Sequence, residues 1–280
     1  MVLSTGDASE IQACALFAEF VAKEAGEMIR RAIVAEKVFD LKSSVVDLVT
    51  ETDKAVETFI IDSLKSRYPD HRFIGEESVA GGIKHDLTDA PTWIIDPIDG
   101  TTNFVHTFPC VAVSIGFSVE KQLVAGIIFH VMAEEMYTAV KGHGAFCNGL
   151  PIKVSQARTL SGALVITEVG SARDPLRMDA FYKNFKAVLA TDAHGIRAMG
   201  SAAINMCMVA RGAGDICYEY GIHCWDIAAG AVIITEAGGY ICDPTGAELD
   251  QMSRRFVGGA TKEICTQLCG ILTHLTLERD

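Results

Sequence analysis

The sequence predicts an α+β fold of layered helices and mostly antiparallel sheets, on three observations. Apolar residues recur at helical spacing near the N-terminus and in several stretches of the second half. Between them, Val111 to Val140 reads as three consecutive strands joined by short connectors, the pattern of an antiparallel meander. The regular strand–helix alternation of a doubly wound parallel sheet is missing along the 280 residues.

Taken in order, Ile11 to Ala32 places Ile11, Cys14, Phe17, Val21, Met28 and Ile29 on one stripe with charges between, which predicts a helix. A second helix is expected to open at Thr52, capped by the Thr52 hydroxyl or the Asp53 carboxylate. It runs to about Leu64 with Val56, Phe59 and Ile60 inward. The period then changes. His71 to Ile74 and Thr92 to Ile95 are short apolar runs ending in acidic residues, as buried strands do at a functional edge. In the meander, Val111–Val119 alternates, Leu123–Val131 is nearly all apolar, and Glu135–Val140 carries Met136, Tyr137 and Val140. Gly142-His143-Gly144 and Asn148-Gly149 mark turns after it. The second half interleaves strands at Leu164–Ile166, Ile216–Tyr218, Tyr240–Cys242 and Phe256–Gly258 with helices at Leu176–Leu189, Ala202–Arg211, Asp226–Ala237 and Thr261–Leu272. No repeat, low-complexity tract or Pro- and Ser-rich linker separates the halves. A single domain over residues 1–280 is expected, with halves of about 1–150 and 151–280.

Composition narrows the function. Hydrophobic residues at 49% and charged residues at 21% are globular rather than disordered. The net charge of −12, from 24 basic against 36 acidic residues, argues against nucleic acid as a partner, because that binding rests on Lys and Arg neutralising phosphates. An anionic small-molecule substrate then requires divalent cations to turn a nest of carboxylates into an attractive site. No basic n-region precedes an apolar stretch at the N-terminus, and no apolar run approaches the ~20 residues of a membrane span, so a cytoplasmic protein without a membrane partner is expected. The nine cysteines show no C-x-x-C pair and read as reduced thiols, several of them core fillers. Cys265 and Cys269, four apart on an expected helix, are half of a zinc pattern without a second half, and core packing is the preferred reading.

The densest chemical signal is Trp93-Ile94-Ile95-Asp96-Pro97-Ile98-Asp99-Gly100-Thr101-Thr102-Asn103. A buried strand is expected to end at Asp96, with Pro97 turning the chain at once because it cannot continue a ladder. Asp96 and Asp99 then converge around that turn. Gly100 permits a backbone conformation closed to other residues, and the amides of Thr101 and Thr102 would open a helix toward an anion. Carboxylates for metals would thus lie beside amides for phosphate, the combination that metal-assisted phosphoryl chemistry requires. Read alone, D-x-x-D-G is equally a solvated turn. Glu76, in Gly75-Glu76-Glu77-Ser78, follows another expected strand and suits a third carboxylate. Asp226, in Trp225-Asp226-Ile227, is explained either by a metal or by helix capping. Val46–Asp53 stands open between a capped helix and a site.

Together, Gly75–Ser78, Trp93–Asn103 and Trp225–Gly230 resemble the three signature blocks of the inositol monophosphatase family, which belongs to the lithium-sensitive, Mg²⁺-dependent phosphatases. Leu41–Asp53, Phe73–Phe117, Gly144–Asn148 and His194–Met206 also read like the eukaryotic branch, so the likeness covers most of the chain. The resemblance implies a layered α-β-α-β-α sandwich, assembled as a homodimer, that hydrolyses the phosphate monoester of a small polyol such as inositol monophosphate. Glu76, Asp96, the Ile98 carbonyl, Asp99 and Asp226 would hold two or three Mg²⁺ ions, whose oxygen-only donor preference they suit. Glu76, with Thr101 hydrogen-bonded to Asp53, would activate the attacking water. Gly100, Thr101 and Thr102 would hold the phosphate, and Asp99, Asp226, Glu219 and the backbone of Gly200, Ser201 and Ala202 would meet the ring hydroxyls and the ester oxygen. Lys42 resembles a mobile-loop residue that visits the site. Relatives acting on bisphosphates would need extra basic residues, and His194–Met206 offers only Arg197. A catalytically silent scaffold that kept the fold is the distant alternative, set against the intact set Asp53, Glu76, Asp96, Asp99, Thr101 and Asp226.

Overall fold

The computed structural model describes residues 5–35, 39–41, 48–82, 86–171 and 173–280. Helix α1 (Thr5–Ile33) buries the expected stripe, with Val21, Ala25, Ile29 and Ile33 fully covered. Strands β1 (Phe39–Leu41) and β2 (Leu48–Thr50) form an antiparallel ribbon leading into α2 (Glu51–Arg67). The cap of α2 differs from the expectation at Thr52 or Asp53. Thr50 is the N-cap: its extended backbone (φ −121°, ψ 162°) lets its hydroxyl accept from the Thr52 and Asp53 amides, while Asp53 reaches back to the Thr50 amide at 2.9 Å. That reciprocal pair satisfies two orphan amides, which a cap at Thr52 would leave open.

Strand β3 (Arg72–Gly75) and short helix α3 (Glu76–Ala80) precede β4 (Thr92–Asp99) and α4 (Thr101–Val105). The strand does not stop at Asp96. It continues through Pro97 to Asp99 because the register against its neighbour shifts between Asp96 and Asp99, and the bulge absorbs the missing proline donor. The meander follows as β5 (Ala112–Val119), β6 (Gln122–His130) and β7 (Glu135–Val140), all antiparallel. Strands β8 (Ala145–Cys147) and β9 (Leu150–Pro151), too short for a periodicity signal, flank the Asn148-Gly149 turn, whose two residues take φ 49° and 75°. The second half comprises β10 (Leu164–Thr167), α5 (Pro175–Leu189), β11 (Gly195–Arg197), α6 (Ala202–Ala210), β12 (Ile216–Tyr220), α7 (Cys224–Glu236), β13 (Tyr240–Cys242), β14 (Arg255–Gly259) and α8 (Lys262–Cys269). Helix α8 ends three residues before the expected Leu272, and α7 begins two before Asp226.

Among the described residues, β3–β9 form a seven-stranded sheet in sequence order and β11-β10-β12-β14-β13 a five-stranded one. Only β3–β4, β10–β11 and β10–β12 pair in parallel. Three buried clusters set the layer order. Side chains of α1 and α2 pack on one face of the larger sheet around Trp93, Ile115 and Ile127. Helices α6 and α7 lie between the sheets, touching Ala112, Ile128 and Tyr137 on one side and Cys217 and Phe256 on the other. Val188 of α5 and Ile264, Cys265 and Leu268 of α8 cover the outer face of the smaller sheet. The result is an α-β-α-β-α sandwich. Its middle layer sits unusually close to the larger sheet: a Cβ on Gly126 would lie 2.2 Å from the Ala229 carbonyl oxygen, so only glycine fits. No helix among the described residues is long and apolar enough to cross a membrane. All nine cysteines are unbridged, and Cys265 and Cys269 pack in the outer core.

Candidate active site

Three chain segments deliver four carboxylates to one place. Asp96 and Asp99 come from the bulged end of β4, Glu76 from the first position of α3 at the end of the neighbouring β3, and Asp226 from the first turn of α7. Carboxylate oxygens of Asp96, Asp99 and Asp226 lie within 4.8 Å of one another. Glu76 shares a hydrogen bond with Asp96, and Asp96 another with Asp226. Two carboxyl groups bond this way only when one keeps its proton, and burial identifies the keeper. Asp96 is 2% exposed, and desolvation, followed by the charges of Glu76, Asp99 and Asp226, pushes its pKa well above the usual carboxylate range. Burial and the charge of Asp226 raise Asp99 to about 7, although hydrogen bonds from Ser201 and Ala203 act in the opposite sense. Burial raises Asp226 to about 6 against the lowering influence of His223.

Each acid is aimed by backbone. The Ile98 amide donates to Asp96 Oδ1 at 3.0 Å across the bulge. Asp99 sits against the start of α6, its Oδ2 accepting from the Ser201 hydroxyl and the Ala203 amide, both at 2.6 Å. Asp226 accepts from the His223 amide at 2.6 Å, so helix capping and a place in the cluster are the same fact about this residue. Gly100 takes φ 97°, and a Cβ there would lie 2.8 Å from the Cys110 carbonyl oxygen; the turn into α4 therefore requires glycine. The Thr101 hydroxyl lies 3.1 Å from Asp53 Oδ1 and 3.2 Å from the Ile98 carbonyl oxygen, tying α2 to the β4–α4 turn.

Glu76, Asp99, Gly100, Thr101, Thr102, Gly200, Ser201, Ala202, Glu219 and Asp226 line one cleft of ≈ 1390 Å³. Asp53, Asp96 and Ile98 are buried behind its wall. Lys42 lies outside the described residues. Arg197 is on the edge strand β11, its guanidinium on its own chain at the Ile196 carbonyl, and is not part of the cleft. Glu219 is buried, accepts from Asn205 at 3.0 Å, and has its pKa raised well above the usual range by burial and by the neighbouring Glu168.

Sequence reasoning missed three supports. Glu168 accepts from the Met199 and Gly200 amides at 2.7 and 2.8 Å and from Asn205, and so shapes the Gly200–Ala202 rim. It follows strand β10 as Glu76 follows β3, and that repeated acid-after-strand signal was available. Asn103 donates to the Cys110 and Met199 carbonyls, both at 2.7 Å, and joins the α4 turn to the same rim. Glu57 lies one helical turn after Asp53 on α2. Its carboxylate accepts from the Glu77 amide at 2.7 Å and the Ser78 amide at 2.8 Å, capping α3 where Gly75 has no side chain to do so.

The donor set tests whether a divalent cation fits. All ligating atoms are oxygen, the buried Asp96 and Asp99 and the half-buried Asp226 face one point, and among the described residues no Lys or Arg pairs with these three acids. Burial and mutual repulsion hold the pKa values of Asp96 and Asp99 above the usual range despite the hydrogen bonds they accept. A hard cation that prefers oxygen supplies the missing charge, so the residues fit Mg²⁺.

Comparison with known proteins agrees with this geometry. The model of the inositol monophosphatase family matches residues 10–276. Inositol monophosphatase 1 of Bos taurus is 49% identical over 96% of this chain and 97% of its own length. Inositol monophosphatase 2 of Homo sapiens is 49% identical over 93% and 90%. The crystal structure of the extragenic suppressor protein SuhB from Bartonella henselae superposes with a TM-score of 0.83 at 28% identity, covering 94% of this chain and 98% of that one.

Proposed function

This chain belongs to the inositol monophosphatase family, and from that premise we propose that it hydrolyses inositol monophosphate to inositol and phosphate as a Mg²⁺-dependent phosphoric monoester hydrolase. The observation that carries the reading is the convergence of Asp96, Asp99 and Asp226, beside Glu76, at a cleft lined also by Gly100–Thr102 and Gly200–Ala202.

Glu76, Asp96, Asp99, Asp226 and the Ile98 carbonyl would hold two or three Mg²⁺ ions. Bound there, the cations supply positive charge against the phosphoryl oxygens and lower the pKa of the attacking water. The Gly100 and Thr101 amides, unpaired at the opening of α4, hold the phosphate, and the Thr102 hydroxyl assists. The Thr101 hydroxyl orients the attacking water and passes its proton to Asp53 Oδ1, 3.1 Å away. Asp226, at the start of α7, positions the water that protonates the departing alkoxide. Asp99 and Glu219 keep free lone pairs beyond the bonds already described and accept from ring hydroxyls. Lys42 is proposed as a loop residue acting on the same site, and the whole chain as one catalytic unit. A homodimer, lithium sensitivity and a cytoplasmic location follow the resemblance and belong to the same proposal.

A panel of inositol 1-phosphate, galactose 1-phosphate, 2′-AMP and fructose 1,6-bisphosphate, compared by kcat/KM, tests the substrate. Inositol 1-phosphate is expected to lead. A preference for the bisphosphate would overturn the assignment and draw attention to Arg173 and Arg177, which also line the cleft.

A further inference from the structure

Asp280 lies far from Asp226 in sequence, yet its side chain ends at the helix that carries Asp226. Beyond α8 the chain runs without regular structure, held by a bond from Asn184 to the Thr273 carbonyl and another from Arg255 to the Leu275 carbonyl. It arrives at the start of α7, where the Asp280 amide donates to the Met252 carbonyl at 3.1 Å. The Asp280 side chain is 10% exposed. Its Oδ2 accepts from the Cys224 amide, the first of α7, at 2.7 Å, and its Oδ1 lies 2.6 Å from His223 Nδ1.

The half-buried His223 ring is held at both of its nitrogens and on one face. Arg254 Nη2 lies 3.0 Å from Nε2, and since a guanidinium only donates, Nε2 accepts and the ring proton sits on Nδ1, facing Asp280. Arg254 is itself held at the Gly221 and Ile222 carbonyls, and its Nε lies 3.7 Å from Asp280. The ring stacks on Trp225 at 4.5 Å between centroids, with 9° between the planes. The backbone of the same His223 donates to Asp226 Oδ2. One carboxylate therefore holds both the residue that bonds Asp226 and the amide that starts its helix.

We infer that Asp280 is a positioning residue for Asp226, tying the segment after α8 to the cation site through His223 and the first amide of α7. The inference rests on the reading of Asp226 as a cation ligand. Partners behind metal ligands typically change metal affinity by about 10- to 100-fold when removed, and the effect here should fall at the low end because Asp280 acts through one intervening residue.

The test is Mn²⁺ binding, followed by electron paramagnetic resonance on the purified full chain, with amide hydrogen exchange of the metal-free protein alongside. In Asp280→Ala, the Mn²⁺ dissociation constant is expected to rise about ten-fold, with faster exchange confined to the first turn of α7 and the metal-free melting temperature little changed. Asp280→Asn keeps a carbonyl acceptor and should retain part of the affinity. Wild-type affinity in Asp280→Ala, or exchange at Cys224–Asp226 no faster than wild type, overturns the inference. If the alanine variant does not fold, the asparagine variant decides alone: unchanged affinity overturns the inference, and weakened affinity upholds it. Failure of the wild-type chain to bind Mn²⁺ would instead strike the cation reading, leaving the exchange comparison to judge Asp280 by itself.

Discussion

Asp96 is the residue on which the site turns, because it touches both Glu76 and Asp226 and is the most deeply buried acid of the cluster. Asp96→Asn should abolish turnover. It should also leave the metal-free protein melting little lower than wild type, since a neutral amide replaces an acid that burial already keeps protonated, with side-chain volume nearly unchanged. A variant that retains activity, or that unfolds, would contradict this. The same electrostatics sets a pH dependence. Asp99 at about 7 and Asp226 at about 6 stand above the ordinary value of 3.8, so the folded metal-free chain holds protons that the unfolded chain has released. Stability from these groups is present at low pH and is lost as pH rises from about 4 to 7. Cations bind the deprotonated acids, so the rise in melting temperature on adding Mg²⁺ should be small at pH 5 and large at pH 8. Equal rises at both would argue against a buried acid cluster as the binding site. At the nucleophile side, Thr101→Ala removes the hydroxyl between water and Asp53, and kcat should fall by roughly 10²-fold or more with KM little changed.

At the scale of elements, α2 and α7 do most of the positioning. One face of α2 carries Asp53 and Glu57, four apart, so a single helix aims Thr101 and caps the short helix that presents Glu76. Glu57→Ala leaves the Glu77 and Ser78 amides without their acceptor and should cost ~1–3 kcal/mol in denaturant unfolding. It should also weaken Mg²⁺ activation, whereas an unchanged Mg²⁺ dependence would detach α3 from the cation site. Helix α7 reaches the site because Gly116 and Gly126 let its backbone lie against the larger sheet; a Cβ on Gly116 would meet Ala228 Cβ at 2.6 Å. Gly126→Ala must push α7 away, with an expected loss of ~1–3 kcal/mol and reduced activity together, because Asp226 moves with the helix. Stability lost without any loss of activity would show that the site tolerates a displaced α7.

Across the whole molecule, the middle helical layer joins two sheets, and the cleft opens where the ends of β4, α6 and α7 meet. The long amphipathic stripe of α1 and the meander β5–β7 were legible in sequence because each repeats its period several times. Strands β8, β9 and β11, of two or three residues, were not, because so few residues carry no period, and their existence depends on a neighbouring strand. The site was readable where carboxylates follow strand ends, as at Glu76, Asp96 and Asp99. Glu57 and Asp280 escaped because each acts on backbone amides distant in sequence, and nothing local distinguishes such an acid from a solvated one; Glu168 carried the acid-after-strand signal and was passed over. The proline at 97 misled for a related reason: whether a strand stops or bulges there is decided by its partner β5. The central claim is that four acids from three separated segments form one cation-dependent hydrolytic centre. The most direct measurement is phosphate release from inositol 1-phosphate by the purified chain with Mg²⁺, with EDTA, and with Mg²⁺ restored. Turnover that vanishes with the chelator and returns with the metal is the expected result; release that persists in EDTA, or no release under any metal condition, would contradict it.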